Sequence, residues 1–390
     1  MRRFRTALAI LVSLAVLSVV ACSSGAASPD GGDSQSSGSG GQSSIAPGQF
    51  TLQQEFMTDA RRDHVLVLLN DGRVMSIAGK GKGATQRTPI LQTAEIWDPA
   101  TGVWQYTGEM AEKREIFTGH TLNDGRVLVL GGADNRHEPL DSTEIWAPAT
   151  GIWTKGPDMA ENRWKHASVK LPDGRVLVNG GSDLRLFTEG EIFNPVTDTF
   201  TDIAEMSEPR ARHTLTVLQD GRVLAVGGGQ DVKPPFTATA EIYDVAMDSW
   251  TSAGSMSTNR TQHTATLLDD GRVLISGGST GSENGSINRL DSAEIYDPAN
   301  NTWTIAAPMS VTRTGHAAVK LADGRVLVVG GIGLKSTEIY DPSTNSWSPG
   351  RDMNEDRSYF KILALPDGTY MINAGQRTDT LSNTTELYKP

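Results

Sequence analysis

Seven times between residues 71 and 367 the chain repeats Asp-Gly followed by a run rich in Val, Leu and Ile. The aspartates are Asp71, Asp124, Asp173, Asp220, Asp270, Asp323 and Asp367, spaced 44 to 53 residues apart. A period of that length points to units that stack or circle, because each is too small to bury its apolar face alone. Apolar, β-branched runs stand on both sides of every Asp-Gly. Each pair therefore reads as two antiparallel strands joined by a tight hairpin, with Asp and Gly accepting the positive φ that such turns require.

The rest of the unit is as regular. One copy reads Asn259-Arg260-Thr261-Gln262-His263-Thr264, then Asp270-Gly271-Arg272-Val273-Leu274, Gly277-Gly278, Ala293-Glu294-Ile295-Tyr296-Asp297-Pro298 and Trp303-Thr304. Gly-Gly ends the second strand, Glu-Ile-Tyr is the third, and Asp-Pro with a small polar residue turns the chain into a fourth that begins at Trp. The Glu-to-aromatic spacing is nine residues in every complete copy: Glu95 to Trp104, Glu144 to Trp153, Glu191 to Phe200, Glu241 to Trp250, Glu294 to Trp303 and Glu338 to Trp347. The seventh copy stops at Glu386-Leu387-Tyr388-Lys389-Pro390, before its fourth strand, while Phe50-Thr51 stand unassigned ahead of the first copy. The N-terminal segment is predicted to supply that missing outer strand, which leaves no unpaired strand edge.

The double glycine, the Tyr and the Trp of these units resemble the kelch repeat, and the resemblance covers residues 50–390. It implies an all-β fold: a seven-bladed β-propeller of four-stranded antiparallel blades, spanning 48–390 and closed by the N-terminal strand in the last blade. In such a propeller Trp97, Trp146, Phe193, Tyr243, Tyr296, Tyr340 and Tyr388 are core residues packed between blades.

Four residues after Met57, Met110, Met159, Met206, Met256, Met309 and Met353 comes an arginine each time: Arg61, Arg114, Arg163, Arg210, Arg260, Arg313 and Arg357. They fall where a fourth strand hands over to the innermost strand of the next blade, so they are expected to ring one mouth of the central channel, where seven cations would attract an anion. The kelch resemblance implies a similar use, since kelch substrate adaptors of ubiquitin ligases hold acidic peptides partly with arginines at this place. An equally complete set of glutamates, Glu95, Glu144, Glu191, Glu241, Glu294, Glu338 and Glu386, opens the third strands near the same rim. One Glu for each Arg favours structural ion pairs, because an unpaired buried charge costs several kcal/mol.

Histidines 64, 120, 166, 213, 263 and 316 stand near the start of six innermost strands, three residues after the arginine except at His120, where Arg114 is read as followed by an insertion. The seventh copy has Phe360. Their repetition fits one hydrogen bond per blade rather than a shared metal ion, and no metal or other cofactor is expected. The loops between second and third strands vary instead. The long ones are 79–93 with Lys80, Lys82 and Arg87, 133–142 with Arg136 and His137, 229–239 with Asp231 and Lys233, and 279–291. Strand alternation opens them on the arginine side, so they should wall a recognition surface.

Ahead of the repeats, Met1-Arg2-Arg3-Phe4-Arg5 and an apolar run from Ala7 to Val20 have the build of a secretory signal too short to span a membrane comfortably. Val19-Val20-Ala21-Cys22 resembles the lipobox of bacterial lipoproteins, which implies a signal over 1–22 and lipidation of Cys22, the only cysteine. Residues 23–47 are mostly Ser, Gly, Ala, Asp and Gln and read as a flexible tether with a span on the order of 30 Å. Removing Arg2, Arg3 and Arg5 leaves 32 Lys and Arg against 46 Asp and Glu, a balance that disfavours nucleic acid as a partner. The expectation is a noncatalytic monomeric module, lipid-anchored outside the cytoplasm, that binds an envelope protein, a glycan or a cell-wall polymer. The alternative is a carbohydrate-active enzyme of kelch type. Galactose oxidase resembles the chain in blade type and number, but its copper radical needs a Tyr cross-linked to a Cys, and the sole Cys here is Cys22. A cofactor-free sialic acid mutarotase, also kelch but six-bladed, is the other enzyme the resemblance brings in.

Overall fold

The computed structural model describes residues 45–82, 89–229, 236–281 and 286–390, and their regular structure is entirely β. Seven blades follow one another along the chain, each with four antiparallel strands that we call a to d from the channel outward; blade 1 has in addition the short strand Arg61–Arg62, and Ser279–Gly281 pairs with Ile287–Arg289 in a separate ribbon. The a strands are Val65–Leu68, Thr118–Thr121, Ala167–Lys170, Thr214–Val217, Thr264–Leu267, Ala317–Lys320 and Lys361–Ala364. Each meets the next and the last meets the first, so the chain is a seven-bladed β-propeller.

Closure is by the predicted N-terminal strand. Gln49–Leu52 pairs antiparallel with Thr385–Lys389, placing Phe50 opposite Tyr388 with their rings stacked 4.7 Å apart. In blades 4, 5 and 6 the same place is filled by Trp250 on Tyr243, Trp303 on Tyr296 and Trp347 on Tyr340, at 5.0–5.1 Å. Phe50 thus stands in for the strand-d tryptophan that blade 7 lacks.

The b strands carry no polar–apolar alternation, as in Val127–Leu130 and Val326–Val329, because neighbouring blades cover both of their faces and every residue is buried. The core is accordingly seven apolar layers, one at each blade-to-blade interface. The strand-c aromatics anchor them: Tyr296 of blade 5, for instance, packs against Leu224, Val226 and Ile242 of blade 4. All seven are at most 4% exposed, and burial of each such side chain contributes about 1.5–3 kcal/mol.

The Asp-Gly turns depart from the sequence reading. Only the glycine takes positive φ, 81–90° across the seven turns. In the first turn Gly72 donates its N–H to the Leu69 carbonyl and Leu69 donates to Arg73, which makes a type I turn followed by a glycine bulge. The aspartate contributes through its side chain, with Asp71 accepting from the N–H of Arg73. All seven a–b turns lie at one end of the propeller; the b–c loops and d-to-a crossovers lie at the other.

Candidate functional site

At each crossover the chain enters a new blade through Met, Arg, two further residues and His or Phe. The methionines are 1–4% exposed and the arginines 0%. Arg114 donates from Nη1 to the carbonyls of Gly131 and Ser142 and from Nη2 to Glu144 at 3.2 Å. The set recurs in every blade, with Arg-to-Glu distances of 2.7 Å (Arg61–Glu95), 3.4 Å (Arg163–Glu191), 3.1 Å (Arg210–Glu241), 2.9 Å (Arg260–Glu294), 2.9 Å (Arg313–Glu338) and 3.1 Å (Arg357–Glu386). Each glutamate also accepts the backbone N–H that follows the methionine, as Glu144 does from Ala111 and Glu294 from Ser257. The pair therefore fastens the crossover onto strands b and c of the blade it enters. Burial lowers the pKa of each arginine and the facing Glu acts against it, but an Arg remains charged at any physiological pH. The seven guanidinium groups lie inside the blades, each with both terminal nitrogens engaged by carbonyl or carboxylate oxygens, while Nε of Arg114, Arg163, Arg210 and Arg260 has no partner among the described residues; they do not line the mouth.

The glycine pair has a complementary job. The second glycine donates its N–H to the arginine carbonyl of the next blade, at 2.7–2.9 Å in all seven junctions from Gly79 to Arg114 round to Gly375 to Arg61. A Cβ on Gly132 would stand 2.6 Å from the Phe117 Cβ and 2.7 Å from the Glu115 carbonyl oxygen, so no larger residue fits.

What the sequence reading passed over is the residue two after each arginine. Asp63, Ile116, Lys165, Arg212, Gln262, Gly315 and Tyr359 all take φ between 51° and 63°, a region that costs a non-glycine residue of order 1 kcal/mol and is rarer still for a β-branched Ile. They form a ring. The N–H groups of six of them, all but Gly315, donate to the equivalent carbonyl of the preceding blade at 2.8–3.5 Å, Asp63 donating to Tyr359 across the closure. No two of the seven are alike, and the signal in the sequence was that variability, set between an invariant Arg and a near-invariant His.

Six of the ring residues, all but Gly315, open into a cavity of about 290 Å³ lined also by Arg62, Lys80, Glu115, His137 and Trp164. Four cationic side chains, Arg62, Lys80, Lys165 and Arg212, face two carboxylates, Asp63 and Glu115. Arg62 lies 3.7 Å from Asp63 and 5.6 Å over the Tyr359 ring, Lys80 lies 3.7 Å from Glu115, and the Lys165 ammonium sits 3.2 Å over the Trp164 ring. His137 Nδ1 is 2.7 Å from the other Glu115 oxygen. Tyr359 leans over Gly315, whose missing Cβ would be 3.2 Å from the ring. Its phenol is pushed up first by burial and then by Asp63, with Arg212, Arg62 and Arg289 opposing. Lys361, at the start of the blade 7 a strand, has its ammonium lowered by burial, with Asp63 opposing. His137 arrives from the b–c loop of blade 2 and Lys80 from the extended end of strand b of blade 1, Val74–Gly81, where residues 79–81 and 90–93, expected in the loop, are strand instead; both connections open on this side. Arg87, Asp231 and Lys233 lie outside the described residues, as does Cys22.

The histidines make contacts between blades. His166, His263 and His316 are hydrogen-bonded through Nε2 to Thr118, Thr214 and Thr264 of the preceding a strand, and His64 to Asn373. Where that strand offers Val65 or Ala317 the residue is Phe117 or Phe360, so blade 2 holds no insertion; His120 sits farther along its strand, 2.6 Å from Ser168. His213 is the exception. It follows Ala167, and neither ring nitrogen has a partner among the described residues.

Residues 117–160, 209–257, 260–310 and 313–354 match the Kelch motif. Blades 2, 4, 5 and 6 each carry a kelch motif. The remaining blades depart at the motif's own positions: Ala78 and Ala374 replace the first glycine in blades 1 and 7, and Phe193 and Phe200 replace Tyr and Trp in blade 3. A fungal alcohol oxidase of the AA5 family, solved in complex with copper, shares the fold, with a TM-score of 0.67 and 18% identity over 89% of this chain and 76% of that one. Identity that low extends the likeness to the fold alone. No curated protein matches the sequence. The residues here do not fit a copper centre: among the described residues no three His, Cys, Asp or Glu side chains are grouped to hold a metal ion, and the repeated histidines at or just before the a strands are spread singly over blades 1 to 6.

Proposed function

We propose that this protein is a noncatalytic recognition module that captures an envelope protein, a glycan or a cell-wall polymer through the ring at the channel mouth and the b–c loops beside it. The observation that carries the reading is the contrast at each crossover, where an invariant clamp holds up seven different residues at positive φ, six of them non-glycine residues in strained backbone. Strain held in place by a rigid scaffold is characteristic of functional sites, and variable loops on a repeat scaffold are where recognition residues gather. In the same reading the chain is exported, lipidated at Cys22 and held off the membrane by residues 23–47, with the lipid as its only membrane contact.

The test is a binding screen of the chain against glycans, cell-wall polymers and extracted envelope proteins, run beside Arg212→Ala with Lys165→Ala and beside Asp270→Asn on the opposite end. Capture lost in the mouth variant and kept in the Asp270 variant supports the reading. Equal capture by both, or none by the parent chain, overturns it. Labelling with a radioactive fatty acid, lost on Cys22→Ser, tests the anchor.

A further inference from the structure

Resting on that reading, we propose that the mouth binds a sugar acid of monosaccharide size, its carboxylate held between Arg62 and Arg212 and its hydroxyls by Asp63, Gln262 and the Glu115–His137 pair. Three features of the cavity select this chemistry. The first is charge: four cationic side chains against two carboxylates line it, in a chain whose formal net charge is −11. Cations collected in a recess of an otherwise acidic protein focus potential on that recess and draw in an anion. Arg62 and Arg212 enter from blades 1 and 4 and line the same small cavity beside Tyr359, Arg62 lying 5.6 Å over its ring, so guanidinium groups from separate parts of the ring border one recess in which a carboxylate can pair with both.

The second is that carboxylates are present at all. A site for a bare inorganic anion would exclude them. Asp63 and Glu115 beside Gln262 instead supply acceptors for several O–H donors on the same small molecule. The third is size and shape. About 290 Å³ lies at the small end of ligand cavities, about 300–1,000 Å³. The main-chain groups around it are already spent on the blade-to-blade ring, Arg212 donating to Lys165 and Tyr359 to Gly315, so little backbone remains to pair with an extended peptide. Recognition falls to side chains closing on a compact ligand.

The experiment is titration calorimetry of the full chain at low ionic strength with D-glucuronate and D-galacturonate, against D-glucose, D-galactose, inorganic phosphate and a blocked Glu-Glu dipeptide. The expected result is binding of at least one uronate, with the matching neutral sugar about tenfold weaker or worse, and weakening as salt is raised. Arg212→Gln should lose about tenfold for the uronate and leave any neutral-sugar binding unchanged, while circular dichroism reports an intact fold. Equal affinity for neutral sugars, or tighter binding of phosphate or the dipeptide, overturns the sugar-acid assignment and leaves the recognition reading standing. Conversion of the bound uronate seen by NMR overturns the noncatalytic reading instead.

Discussion

Arg260 and Gln262 are two residues apart on one crossover and answer to different demands. Position 260 is arginine in all seven blades, 0% exposed and clamped to a glutamate and two carbonyls. Position 262 is half-buried, sits at φ 54° and carries a different side chain in every blade. The first holds the blade together, and what it needs never changes. The second faces the mouth, where only the backbone is constrained. The comparison teaches that in this propeller repetition marks scaffold and its local breakdown marks the site.

The comparison breaks most sharply by removing the clamp. Arg260→Ala strands the buried Glu294 carboxylate and should cost about 3–5 kcal/mol in chemical unfolding, whereas Gln262→Ala should stay within about 0.5 kcal/mol; equal costs would erase the distinction. Next comes closure. Phe50→Ala removes the ring stacked on Tyr388 and should cost about 3 kcal/mol, and an unchanged unfolding midpoint would mean that the N-terminal strand adds little.

The histidines give the scaffold a pH signature. Burial depresses His166, His213 and His316 to about 3 and His120 to about 4, and holds His64 and His263 well below the ordinary value. Below about pH 6.5 the unfolded chain takes up these protons and the folded chain does not. Stability is therefore full above pH 6.5 and falls toward pH 3, by at most about 1.4 kcal/mol per histidine per pH unit. Thermal unfolding between pH 7 and 4.5 checks this, and a flat profile would contradict neutral burial. The smallest effect sharpens the rule for His against Phe. His213→Phe, facing Ala167, should stabilise by about 1 kcal/mol, and His166→Phe, which leaves the Thr118 hydroxyl without its partner, should destabilise by a similar amount.

Much of the fold was legible because it is written seven times. The nine-residue Glu-to-aromatic register predicted strands c and d, and the orphan Phe50 predicted closure. The Asp-Gly turn type was missed because the aspartate works through its side chain, which a preference for positive φ does not reveal. The apparent insertion after Arg114 was a substitution, Phe117 for His, driven by Val65 on the neighbouring strand, a partner 52 residues away in sequence.

By itself the sequence determined the number of units, their four strands and how the ring closes, because each follows from short-range periodicity and from one unpaired segment at each end. It also supplied one Glu for every Arg. Only the tertiary structure decided what those charges are for. Once a blade folds, its arginine is turned inward against carbonyls that no local pattern announces, and the next residues but one are brought from seven distant stretches to a single mouth. Spacing along a chain records which residues repeat; which of them face water depends on neighbours that only packing supplies.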